Sequence, residues 1–153
     1  MTRPSIPQRG RPDAGGRRRS REAALQMLYQ WEVGRGSPDE AVGSYWSSRD
    51  RDAPLAEEHR DFANRLVHGT IERLAEIDRL LAARAQNWRL DRMAVLDRLI
   101  LRLAAYELVA EPDTPARVVI NEAIELARTF SGEEAVGFVN GILDAVRKDL
   151  RRD

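Results

Sequence analysis

The chain of 153 residues contains no cysteine, which excludes a disulfide framework and thiolate zinc sites and makes a reducing cytoplasm the simplest setting. It also lacks any run of about 18 apolar residues, so no membrane-spanning helix is expected. The arginines near its start are not followed by the apolar stretch of a secretory signal. Histidine is scarce. His59 and His68 are the only two, and nine residues of helix would set them on roughly opposite faces, where they cannot share a metal. Their ordinary reading is that of surface or half-buried helix residues. The strings GxGxxG, GxxxxGK[ST], HExxH and GxSxG are all missing, which removes the commonest nucleotide-binding, metalloprotease and hydrolase readings. The sequence therefore names no catalytic residue, no metal ligands and no cofactor, and a non-enzyme is expected. Lysine is nearly absent as well: Lys148 is the only one, so the preference for arginine is chain-wide and singles out no one site.

What is present is an uneven distribution of charge. The formal net charge is zero, yet residues 1–21 carry seven arginines against Asp13 alone, a net of +6. The remainder carries 18 basic and 24 acidic side chains, a net of −6, so a basic end is attached to an acidic body. Residues 1–16, with three prolines and three glycines, are expected to form a disordered basic tail, and residues 17–150 a single compact domain.

Beyond the tail the apolar pattern is helical. Ala24, Leu25, Leu28 and Trp31 form one stripe, with Ser20 as the expected N-cap and Gly34 and Gly36 as the stop. Ser37, Pro38, Asp39 and Glu40 have the order of a helix start: cap, proline at the first turn, acids near the positive dipole end. From about Pro54 to Ala85, Phe62, Leu66, Leu74, Ile77 and Leu81 recur at helical steps, as one long helix or two abutting ones with a break near Gly69. Residues 91–109 are apolar on most of their circumference, which makes that helix central. Pro112 and Pro115 end it, and Thr114 is the expected cap of the next, whose buried stripe is Ile120, Ala123, Ile124, Ala127 and Phe130. The string "SGEE" at 131–134 restarts the chain, and Ala135, Phe138, Val139, Ile142, Leu143 and Val146 mark a last helix that should run through Asn140–Gly141. With no period-two alternation, the expected class is all-α, with six to seven helices. Carboxylate pairs such as Glu72 and Glu76, or Glu122 and Glu125, are interleaved with arginine and read as solvated faces.

The stretch "RRRSR" at 17–21 fits this scheme poorly. Cations at a helix N-terminus oppose the dipole and repel one another, and a bound polyanion would relieve both costs. A membrane-surface helix would carry its arginines along the whole polar face instead. Nucleic acid is thus the favoured ligand, ahead of a solvated tail or a protein or lipid contact.

Several strings resemble the NusB family of transcription antitermination factors: "RRRSREAALQMLYQW" at 17–31, "LVHGTIERLAEID" at 66–78, "LDRLILRLAAYEL" at 96–108, "PARVVINEAIELARTF" at 115–130 and "FVNGILDAV" at 138–146. The resemblance implies two small helical bundles packed together. It also implies a non-catalytic role: with NusE, a protein of the small ribosomal subunit, such a factor grips boxA RNA and helps the elongating RNA polymerase ignore terminators, notably in ribosomal RNA operons. On this chain the family's RNA-binding arginines fall on Arg17, Arg18, Arg19 and Arg21, with Glu134 near the RNA path. Its NusE-facing surface would include Tyr29 and Asp97. Taken alone, Tyr29 reads as a half-buried aromatic and Asp97 as an ion-pair partner of a nearby arginine such as Arg98 or Arg102. The resemblance allows a homodimer as well as a monomer for the free protein. Two other readings are an auxiliary domain of an RNA 5-methylcytosine methyltransferase system and a structural helical oligomerisation module.

Overall fold

A computed structural model describes residues 12–48, 54–85 and 90–153, and these are helical with no strand among them. Seven α-helices follow in order: α1 (Pro12–Gly34), α2 (Pro38–Ser47), α3 (Glu57–Glu72), α4 (Leu74–Arg84), α5 (Val95–Ala110), α6 (Ala116–Leu126) and α7 (Glu133–Asp149). A short 3-10 turn, Leu90–Arg92, precedes α5, and a π-helical turn, Ala127–Ser131, joins α6 to α7.

Helix α5 is the axis of the molecule. Leu99, Ile100, Leu101, Leu103, Ala105 and Leu108 are all buried, and a helix apolar around its circumference must be packed on several sides. It touches α1 and α3 on one side and α4, α6 and α7 on the other. Two small bundles therefore share it: α1 to α3 form one, α4, α6 and α7 the other. The stripes expected in the flanking helices face it, with Ala24, Leu25, Leu28, Phe62, Leu66, Ile77, Leu81, Val139, Leu143 and Val146 in one continuous core. Trp31, by contrast, is only half-buried.

Local chemistry sets several boundaries as the sequence suggests. Ser37 Oγ accepts from the Glu40 backbone N–H at 3.1 Å, while the Glu40 carboxylate accepts from the Ser37 N–H at 2.8 Å, a reciprocal capping box at the start of α2. Helix α7 runs unbroken through Asn140 and Gly141. At Gly132 the backbone takes φ of 144°, which L side chains rarely adopt, and there the chain restarts with Glu133 and Glu134 in the first turn of α7.

Other boundaries differ from expectation. Residues 1–11 of the expected tail lie outside the described residues, but 12–16 are already helical, and Pro12 at the first position suits a helix start. Ser20 is therefore no cap. It is buried in mid-helix, and its single hydroxyl proton is within hydrogen-bond reach of two carbonyls, that of Gly16 at 3.0 Å and, across on α3, that of His59 at 2.8 Å. Gly16 serves the same junction, because a Cβ there would fall within the His59 imidazole. The break between α3 and α4 comes at Arg73 and not at Gly69. Gly69 lies inside α3, where the Tyr106 ring of α5 occupies the space a Cβ would need. Helix α6 begins after Pro115 with no side-chain cap, so Thr114 does not perform that role; its carbonyl instead accepts from Arg152.

Candidate nucleic-acid interface

The five residues 17–21 occupy little more than one turn of α1, so their side chains radiate around the helix and meet different surroundings. Arg17 is exposed, and its guanidinium carbon lies 3.8 Å from the centroid of the Phe62 ring on α3. Arg18 is half-exposed and forks onto Glu122 of α6, with Nε to Oε1 at 3.1 Å and Nη2 to Oε2 at 2.8 Å. These hydrogen bonds hold its guanidinium above the ordinary arginine pKa. Arg19 is half-buried on the same turn.

Arg21 points the other way. It is 4% exposed and forks onto Glu107 of α5, which is 2% exposed. Burial disfavours the cation, but the hydrogen bonds and charge of Glu107 outweigh it, and the Arg21 pKa also stands above its ordinary value. The sequence grouped Arg21 with the RNA contacts; the fold turns it into the core as the link between α1 and the central helix. The reason is the length of arginine, whose apolar stem lets a charged residue occupy the buried side of a helix when a carboxylate waits there.

Phe62 gathers three guanidiniums. Besides Arg17, those of Arg21 and Arg65 lie 5.4 and 5.1 Å from its ring centroid. Arg65 in turn forks onto Glu111 through Nε at 2.9 Å and Nη2 at 3.2 Å. Sequence reading assigned Phe62 to the core and gave Arg65 no role. The spacing of three residues between them, which places side chains on one helix face, is the signal that could have joined them. Glu107 and Glu122, the carboxylates that receive Arg21 and Arg18, have no such local signal, because their partners are 86 and 104 positions away.

The other expected residues sit farther along. Tyr29 is 44% exposed toward the C-terminal end of α1, and Val33, one turn on, is also exposed. Glu32, between them, reaches Arg98 at 3.4 Å and Arg102 at 3.5 Å on α5, and Arg102 also forks onto Asp78 of α4. Neither arginine takes Asp97 in these pairs. Asp97, in the first turn of α5, is nearly buried and accepts a hydrogen bond from the Ser131 hydroxyl, which fastens it to the corner between α6 and α7. Glu134 is exposed in the first turn of α7, with its carboxylate lying over Gly132. Among the described residues no helix is long and apolar enough to cross a membrane.

Two helical bundles sharing one apolar helix, with arginines clustered near the start of α1, make this an all-helical protein. The chain belongs to the NusB family: the model described as "NusB family" matches residues 18–148. A transcription antitermination protein NusB from Koribacter versatilis is 48% identical over 136 residues, covering 89% of this chain and 91% of its own. A solved structure of NusB from T. maritima is 37% identical, superposes with a TM-score of 0.78, and covers 87% of this chain and 91% of that one. A further solved chain, from a structure of the antitermination factors NusB and NusE in complex with double-stranded RNA, is 25% identical with a TM-score of 0.78, covering 88% of this chain and 97% of that one.

Proposed function

We propose that this protein is a non-catalytic RNA-binding adaptor that grips single-stranded boxA-type RNA together with NusE and so helps RNA polymerase read through terminators in ribosomal RNA operons, in the cytoplasm. The observation that carries this reading is the second turn of α1, where Arg17 is exposed and Arg18 half-exposed, so that two neighbouring cations whose mutual repulsion a polyanion would relieve face outward. Arg19 lies on the same turn, while Arg21 supports it from the core side through Glu107. The acidic body repels the phosphates that the arginines attract, so the protein alone binds RNA weakly and a basic partner strengthens the grip.

The partner surface is the outer face of α1 around Tyr29, with Asp97 at the start of α5. Tyr29 and Val33 offer an exposed apolar pair, the kind of aromatic anchor that interfaces favour. Asp97 is fastened to the α6–α7 corner by Ser131, and Glu134, in the first turn of α7, lies beside the RNA path in this reading.

A gel-shift of boxA RNA with the protein, alone and with NusE, tests the reading. The mixture should bind more tightly than either component, and the R17A/R18A/R19A variant should bind more weakly with a shallower salt dependence and unchanged far-UV circular dichroism. Equal affinity and salt slope in that variant would remove the arginines from the site. Tyr29→Ala should lower affinity for NusE about tenfold or more without altering the fold; unchanged affinity would remove Tyr29 from the partner face.

A further inference from the structure

We infer that Arg17, laid on the ring of Phe62, is a stacking platform for one unpaired nucleobase and does more than contact phosphate. This rests on the RNA-binding reading above and assigns a chemistry within it. At 3.8 Å from the centroid the guanidinium is too close for an approach to the ring edge, where ring atoms would intervene, so it lies against the face. Phe62 itself is 2% exposed, and its surface is covered from above, while Arg17 is exposed. The guanidinium is therefore held on its inner side by an apolar ring and open on its outer side.

The three cations around Phe62 are not equivalent. Arg21 and Arg65 are each neutralised by a two-pronged carboxylate, Glu107 and Glu111 respectively. Arg17 makes no ion pair with the described residues. Among the described residues its orientation is set by the ring and not by an anion that a ligand would have to displace. A planar, weakly hydrated cation seated on a ring face is suited to stack on an exposed π-face, and an unpaired base has one to offer whereas a base inside a duplex does not. The platform thus discriminates single-stranded from double-stranded RNA. Arg65, half-exposed at the ring's margin and engaged with Glu111, frames it.

Arg17→Lys tests this directly, because lysine retains the charge and the apolar stem and loses only the plane. Binding of a short unstructured oligoribonucleotide, and of a duplex of the same length, is measured across a salt series. The lysine variant should bind the single strand about tenfold more weakly with an unchanged salt slope, and the duplex as well as the wild type does. Replacing bases of the single strand one at a time by abasic sites should find one position at which wild type and variant become equal. Phe62→Leu, checked for folding by circular dichroism, should reproduce the selective loss. Single-strand binding by Arg17→Lys equal to wild type would overturn the platform and leave a phosphate contact in its place. Failure of the wild type to bind either RNA, with or without NusE, would overturn the functional reading itself and the platform with it.

Discussion

Arg21 of α1 and Glu107 of α5 meet in a fork of two hydrogen bonds, 2.8 and 2.9 Å long, with both side chains withdrawn from solvent. A buried pair of this kind is costly to break from one side, because the remaining charge is stranded. Arg21→Met should destabilise the fold by about 3–5 kcal/mol, and adding Glu107→Leu should recover most of that loss. Urea denaturation of the two variants checks it. Residual RNA binding by Arg21→Met should follow its folded fraction, unlike that of Arg17 variants, which stay fully folded.

The pair between Arg18 and Glu122 is of another sort, since Arg18 is half-exposed and a phosphate can compete for its guanidinium. Partly exposed pairs are worth up to about 1 kcal/mol, which corresponds to about fivefold in affinity. Glu122→Gln should therefore raise RNA affinity by up to about fivefold and steepen its salt dependence. A fall in affinity would show instead that Glu122 orients Arg18 for its ligand.

Gly69→Ala should destabilise the protein by about 1–3 kcal/mol, because the new Cβ falls within the Tyr106 ring and hydroxyl and the ring must move. Combined with Tyr106→Leu, the alanine should cost much less than it does alone. Thermal unfolding of the double-mutant cycle reads the difference, and additive effects would refute the clash.

Acid should weaken the fold in a defined window. Arg84 holds the Asp149 carboxyl below the usual range, Arg147 and Lys148 do so for Asp144, and the Ser37 backbone N–H does so for Glu40. A carboxylate with a lowered pKa in the folded state stabilises that state fully above its unfolded value, and the contribution is lost as pH falls through the folded value. The urea midpoint should therefore hold from neutrality to about pH 5 and decline from about pH 4 downward. Arg84→Gln should start from a lower midpoint at neutral pH and lose less on acidification.

How far the sequence could be read depended on whether the signal was local. The central helix was legible because Leu99, Ile100, Leu101 and Leu103 leave it no polar side, and the capping box because Ser37 and Glu40 are three residues apart. The start of α1 was not, since a stretch of arginines and glycines looks like a tail until its partners are known. Gly16 needs His59, Ser20 needs the His59 carbonyl, and Arg21 needs Glu107 to become helix interior. The break in the Pro54–Ala85 stretch was misplaced for a related reason: Gly69 reads as a helix breaker unless Tyr106 is known to press on it. Within the candidate site, the arginine cluster stands out in the chain by its charge and Tyr29 only through the family resemblance, whereas Phe62 as a support for Arg17 required the packing of α1 on α3.

Helix α1 is continuous from Pro12 to Gly34, and that continuity sets the relation between its two ends. Twelve residues separate Arg17 from Tyr29, which amounts to a rise of about 18 Å and a rotation of roughly 120°. A strand of RNA on the first and a protein on the second would occupy neighbouring sectors of one rigid rod, close enough to touch each other and offset enough not to collide. Each would then present the other with a partly assembled surface, so either could arrive first and the second would always land on a composite of both.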